Sequence, residues 1–122
     1  MKKLFYYTDV LPFLSREDAA IEKLKRSLSI FRNASDAVTL VWHPYPGTVD
    51  YLKRNDSPVT EEYISIFEDY RNAGWGELDL NASIADVRKT LLSCCAYYGD
   101  VSDLVYEAQN AGLPVMLQNI DV

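Results

Sequence analysis

With 122 residues, 48% hydrophobic and 25% charged, the chain fits one soluble domain, and no apolar run approaches the ~18 residues a membrane span requires. A formal net charge of −6 excludes a general nucleic-acid binder, which needs a basic face to displace counterions from phosphates. A single nucleotide is still admissible, since backbone amides and one or two side chains suffice to hold it.

The N-terminus opens Met1-Lys2-Lys3 and continues as the apolar-aromatic run Leu4-Phe5-Tyr6-Tyr7. Thr8-Asp9 interrupts that run and no small-residue cleavage site follows, so it is expected to be a first strand of a cytoplasmic protein, not an export signal. Pro12 breaks the chain. Ser15-Arg16-Glu17-Asp18 has the form of an N-cap followed by first-turn acids, and Ala20, Ile21, Leu24, Leu28 and Phe31 recur behind it at helical spacing. Asn33-Ala34-Ser35-Asp36 ends that helix.

Ala37 to Trp42 is apolar on both faces, the signature of a buried strand in a parallel sheet. His43-Pro44-Tyr45-Pro46-Gly47 stops it, and Thr48 to Ser57 is expected to be a loop with one helical turn at most. Pro58 to Glu62 opens a second long helix with Tyr63, Ile66, Phe67 and Tyr70 inward, closed by Asn72-Ala73-Gly74. Glu77 to Leu80 is a short edge strand. Ser83-Ile84-Ala85-Asp86 starts a helix with Ile84, Val87, Leu91 and Leu92 inward. Cys95 to Tyr98 is a fourth strand, Val101 to Ala111 a helix with Leu104, Val105 and Ala108 inward, and Leu113 to Gln118 a fifth strand.

This alternation calls for an α/β three-layer sandwich, with a five-stranded parallel Rossmann-like sheet and right-handed helical crossovers. A strand order 3-2-1-4-5 puts the topological switch between the first and fourth strands, where ligands gather at the carboxyl ends. Thr8-Asp9 and Asp100-Ser102 are then expected to face one crevice.

Few residues offer chemistry. His43, the only histidine, ends a strong strand; it can donate to a phosphate, act as an acid or base near neutral pH, or cap a backbone carbonyl. In Tyr97-Tyr98-Gly99-Asp100-Val101-Ser102-Asp103 a strand breaks at a glycine and passes into a helix, whose first N–H groups lack internal partners and suit an anion. Asp100 and Ser102 are equally good helix caps, and Asp103 brings negative charge to the turn. Thr8 and Asp9 can meet a ribose or terminate a strand. Tyr45, Trp75, Tyr97 and Tyr98 can stack on a base or fill the core. Cys94 and Cys95 are adjacent, and neighbours rarely reach relaxed disulfide geometry, so a disulfide scaffold is excluded; both are expected to be buried structural thiols, the alternative being a vicinal redox pair. One histidine without spaced cysteine pairs makes no zinc site, and no cofactor is expected.

Trp42-His43-Pro44-Tyr45-Pro46, Gly74-Trp75-Gly76, the turn at Tyr97 to Asp103 and Gly112-Leu113-Pro114-Val115 together resemble, in order and spacing, the C-terminal Rossmann-like half of GT-B transferases. The nearest group is the CDP-glycerol glycerophosphotransferase-like proteins of bacterial cell-wall polymer synthesis, and the likeness runs over nearly the whole chain. The resemblance implies that His43, Gly99, Asp100, Val101, Ser102 and Asp103 line the diphosphate site of a nucleoside-diphosphate donor, CDP-glycerol or an NDP-sugar. Asp103 stands where the family has a second serine, and Val101 where an aromatic is usual. The family works in a cleft between two such domains. A chain of this size supplies one of them, is expected to be inactive alone, and needs an acceptor-binding domain or subunit. The alternative is a degenerate, non-catalytic module binding a protein or a small metabolite, with Asp103 marking the lost phosphate site.

Overall fold

The computed structural model describes residues 2–118. In chain order the elements are β1 (Lys2–Thr8), α1 (Leu11–Ser15), α2 (Asp18–Asn33), β2 (Val38–Pro44), α3 (Thr48–Arg54), α4 (Thr60–Ala73), β3 (Glu77–Leu78), α5 (Ile84–Leu92), β4 (Ala96–Gly99), α6 (Leu104–Asn110) and β5 (Val115–Leu117). The sheet runs β3-β2-β1-β4-β5 and every pairing is parallel. The expected α/β class, five strands and 3-2-1-4-5 order are all present.

Side-chain alternation along β1 divides the core between the two faces of the sheet. Leu4 and Tyr6 pack with Leu40 and Trp42 of β2 against α1 through α4, in a cluster that holds Ile21, Leu24, Leu52 and Tyr63. Phe5 and Tyr7 pack with Val41 and Tyr97 against Val87 and Leu91 of α5 and Leu104 and Ala108 of α6. Trp42 anchors the first layer. Fully buried, it meets Tyr70 edge-on at 5.2 Å and donates its indole N–H to Thr8 Oγ1 at 3.0 Å. Removing such a side chain costs on the order of 3–5 kcal/mol through lost burial and the cavity left behind.

Several local expectations are corrected. Pro12 does not break the chain but sits in the first turn of α1, where a missing N–H costs nothing. Ser15 caps no helix; its hydroxyl donates to the Leu11 carbonyl at 2.9 Å, and the next helix begins at Asp18 after Glu17 adopts φ 45°. The segment after Gly47 is a helix of seven residues. Gly47 at φ 82° turns the chain out of Pro46, Thr48 Oγ1 donates to the Tyr45 carbonyl at 2.6 Å, and fully buried Leu52 pins the helix to the core. On α5 the inward stripe is Val87 and Leu91 alone, while Ile84 and Leu92 are 60% and 52% exposed. Cys94 is buried, and burial pushes its thiol up to about 11, but Cys95 is exposed. Among the described residues no helix is long and apolar enough to cross a membrane.

Candidate functional site

A cleft of about 570 Å³ opens at the carboxyl ends of the central strands, on the α5/α6 side of the sheet. Its walls come from Tyr7 at the end of β1, His43 at the end of β2, Tyr45 and Pro46 beyond it, Ile84, Val87 and Arg88 of α5, and the turn Ser102–Leu104. Parallel strands aligned in register deliver Tyr7 and His43 side by side, and the β1–β4 switch brings the turn after β4 to the same place. Tyr45, whose ring meets Tyr51 at 5.9 Å, forms part of the rim.

His43 is only 3% exposed yet forms part of this wall. Its ring stacks on Tyr7 at 5.8 Å and lies 5.5 Å from Phe5. Nδ1 is 3.0 Å from the Asp79 carbonyl oxygen, which can only accept, so Nδ1 carries the proton of the neutral ring and Nε2 is left as an acceptor. Burial lowers the imidazole below its ordinary range, against the opposing pull of the Asp79 carbonyl and carboxylate. The carbonyl-capping role foreseen for His43 is therefore realised, and at neutral pH the ring presents a lone pair.

The turn at 99–103 is occupied largely by its own hydrogen bonds. Tyr97 donates its hydroxyl proton to the Asp100 carbonyl, so the 3.1 Å contact between Tyr97 Oη and Ser102 Oγ is donated by the serine. Ser102 Oγ in turn accepts from the Leu104 amide at 3.2 Å. The serine is thus the side-chain cap of α6, and its one proton is spent on Tyr97. Asp103 makes no side-chain cap and is exposed on the cleft wall. Val101 is 66% exposed, and Gly99 is buried against β1. The amides of Val101, Ser102 and Asp103 donate to no group among the described residues.

Thr8, Asp9 and Asp100 form a different cluster. Thr8 and Asp100 border a cavity of about 10 Å³ on the α1/α2 side, barely room for one water. Thr8 is taken up by Trp42. Asp100 Oδ2 accepts from the Asp9 amide at 2.7 Å, and Asp9 Oδ1 accepts from the Val10 amide at 2.6 Å. Burial raises Asp100 to about 6, with the Asp9 amide and Lys23 working against the shift and the Asp9 carboxylate adding to it. The expected single crevice is therefore split: His43, Tyr45, Ser102 and Asp103 share the large cleft, and Thr8 and Asp100 lie on the opposite face. Of the base-stacking candidates only Tyr45 reaches the cleft; Tyr97 is core on the α5/α6 side, and Trp75 and Tyr98 pack against the core on the opposite face of the sheet.

Three further residues of the site were not among the candidates the sequence offered. Arg88 and Glu107 make a two-pronged ion pair across α5 and α6, at 3.0 and 2.9 Å, on the wall of the cleft. Asp79, 5% exposed, orients His43 through its carbonyl, accepts the Asn81 amide on Oδ1 at 2.9 Å, and leaves Oδ2 buried with no hydrogen-bond partner among the described residues. A lone aspartate between Leu78 and Leu80 at a strand end was the available hint. The cleft thus offers apolar and aromatic walls, a hydrogen-bond acceptor at His43, one paired cation and two carboxylates. Among the described residues no three His, Cys, Asp or Glu side chains gather as a metal site requires. The chain matches no protein-family model, no curated protein and no solved structure.

Proposed function

We propose that this chain is a Rossmann-like ligand-binding module on the plan of the donor-binding half of a GT-B transferase, acting in the cytoplasm. On this reading it takes a nucleoside diphosphate donor into the cleft between the ends of β1, β2 and the turn after β4, and it does not turn over substrate alone. One observation carries the reading: the 3-2-1-4-5 sheet brings His43 and the Ser102–Asp103 turn to the same cleft, although 59 residues separate His43 from Ser102. The module's part in a transfer reaction is positioning, with aromatic walls for the base and polar groups at strand ends for the diphosphate. The attacking group and its acceptor site belong to a second domain or subunit.

A second reading is supported by the hydrogen bonds themselves. Ser102 donates its hydrogen bond to Tyr97, neutral His43 shows an acceptor, and Asp103 and Glu107 put two carboxylates beside the single guanidinium of Arg88 on the cleft wall. Such a wall also suits a small ligand rich in N–H or O–H donors, or a protein segment carrying them. Calorimetric titration with CDP, UDP and CDP-glycerol decides between the two. Saturable binding abolished by His43→Ala supports the donor module; absence of binding by all three leaves the degenerate module standing.

A further inference from the structure

We propose that His43 and Asp79 form a proton-coupled anion clamp: a diphosphate entering the cleft brings a proton from solvent onto Nε2 of His43, with the buried Asp79 carboxylate as counter-ion. The inference rests on the donor-module reading and adds to it a positioning residue, Asp79, that touches no ligand.

The geometry has two parts. Asp79 Oδ2 is buried, accepts no hydrogen bond from the described residues, and stands 3.9 Å from His43 Nδ1. An isolated buried carboxylate oxygen is unfavourable unless a positive charge or a donor faces it. The second part is the tautomer. Nδ1–H is held by the Asp79 carbonyl at 3.0 Å, so any added proton goes to Nε2, the ring's remaining polar atom, on the residue that walls the cleft. An imidazolium then joins two negative groups, the carboxylate on its Nδ1 side and a phosphate oxygen accepting from Nε2–H. No bond between heavy atoms changes; one Nε2–H bond forms, its proton released by a solvent or buffer acid, for each ligand bound.

Burial keeps the ring neutral while the cleft is empty, and a second negative charge favours the protonated form. The titratable and charged groups around the ring are Tyr7 on β1, Asp79 beyond β3, Tyr45 beyond β2, Arg88 on α5, Asp103 before α6 and Glu107 on α6. Arg88 and Glu107 are bound to each other, and burial holds the Tyr7 phenol above its ordinary range. Asp79 is the anion within ion-pair range of Nδ1.

The test is calorimetry of CDP-glycerol binding to the full chain at neutral pH, in two buffers of different ionisation enthalpy. CDP-glycerol is chosen because its diphosphate diester does not itself titrate there. Uptake of close to one proton per ligand is expected, with affinity falling by up to tenfold per pH unit above neutrality. Binding without proton uptake overturns the clamp and leaves the donor module intact. Absence of binding removes the donor module, and with it the ligand half of the clamp. The pair itself is read separately by proton NMR of the ring of His43, the sole histidine: its midpoint is expected to drop in Asp79→Asn, which keeps an acceptor for the Asn81 amide. An unchanged midpoint in a folded Asp79→Asn protein rejects Asp79 as the counter-ion.

Discussion

A β-carbon added at Gly99 would lie 2.0 Å from the carbonyl oxygen of Tyr7, and Gly99 itself adopts φ 134°. The same Tyr7 carbonyl accepts the Asp100 amide at 3.0 Å, so β4 ends by folding its backbone tightly onto the end of β1. The glycine is thus required by the approach of two backbones. Gly99→Ala is expected to destabilise the fold by at least about 3 kcal/mol, since clash and backbone strain act together and the neighbour is main chain that cannot swing away. Urea denaturation measures it; a loss below about 1 kcal/mol would mean the two strands separate easily at their ends.

Asp100 gives the fold a pH dependence of defined sign. Its carboxyl is raised to about 6 in the folded chain, chiefly by burial, so between roughly pH 4 and 6 the native state holds a proton that the unfolded state has released. Its contribution is therefore largest below that window, and stability is lost as pH rises through it. Asp100→Asn keeps an oxygen for the Asp9 amide and removes the titration. Allowing for partial solvent screening, the variant is expected to gain roughly 1 kcal/mol at neutral pH and to match the parent at pH 4. Thermal melts across that range test it, and equal pH profiles for the two proteins would reject the assignment.

The succession of strands and helices was legible because each buried strand is bounded by Pro, Gly or a polar cluster and each helix shows its own stripe; the 3-2-1-4-5 order is not fixed by those signals and came with the Rossmann-like reading. Residues 38–42 and 96–98 need no tertiary knowledge to be read as strands, whereas His43, Pro44 and Gly99, expected to end those strands, still pair with β1. Helix α3 was hidden because Pro44, Pro46 and Gly47 dominate its approach, and the burial of Leu52 that fixes it is a tertiary event. The site was legible only in part. His43 and Ser102 carry recognisable types at strand ends, whereas Arg88 and Glu107 are ordinary helix-surface charges until α5 and α6 pack together. Which face of the sheet Thr8 and Asp100 take is likewise decided by the pleat and by Trp42, not by residue type.

Thr8 illustrates the distinction between site and scaffold. Its hydroxyl accepts the buried Trp42 indole N–H, on the far side of the sheet from the cleft. Thr8→Val preserves shape and deletes that acceptor, leaving a buried donor unsatisfied at a cost of about 1–3 kcal/mol. Chemical denaturation should register the loss while CDP-glycerol affinity of the folded variant stays within about twofold, far below the tenfold that roughly 1.4 kcal/mol would produce. A large drop in affinity without a stability change would move Thr8 into the ligand site.

Asp103 separates the two readings of the cleft most directly. The carboxylate stands on the wall shared with His43 and Ser102, and it makes no cap for α6, a duty Ser102 performs. Asp103→Ser should therefore leave stability within about 0.5 kcal/mol, as expected for an exposed position free of special contacts. Its effect on a diphosphate is electrostatic: removing one like charge at the cleft wall is expected to tighten CDP-glycerol binding by roughly 3- to 10-fold at low ionic strength. The gain should shrink toward nothing near 1 M salt, where the screening length falls to about 3 Å. A donor-rich or cationic ligand responds in the opposite direction, losing an acceptor and an attractive charge. Calorimetric titration of parent and variant at both salt concentrations distinguishes these outcomes. Tighter, salt-sensitive binding of CDP-glycerol favours the donor module, and no gain from the substitution would sink the idea that Asp103 is what weakens the phosphate site.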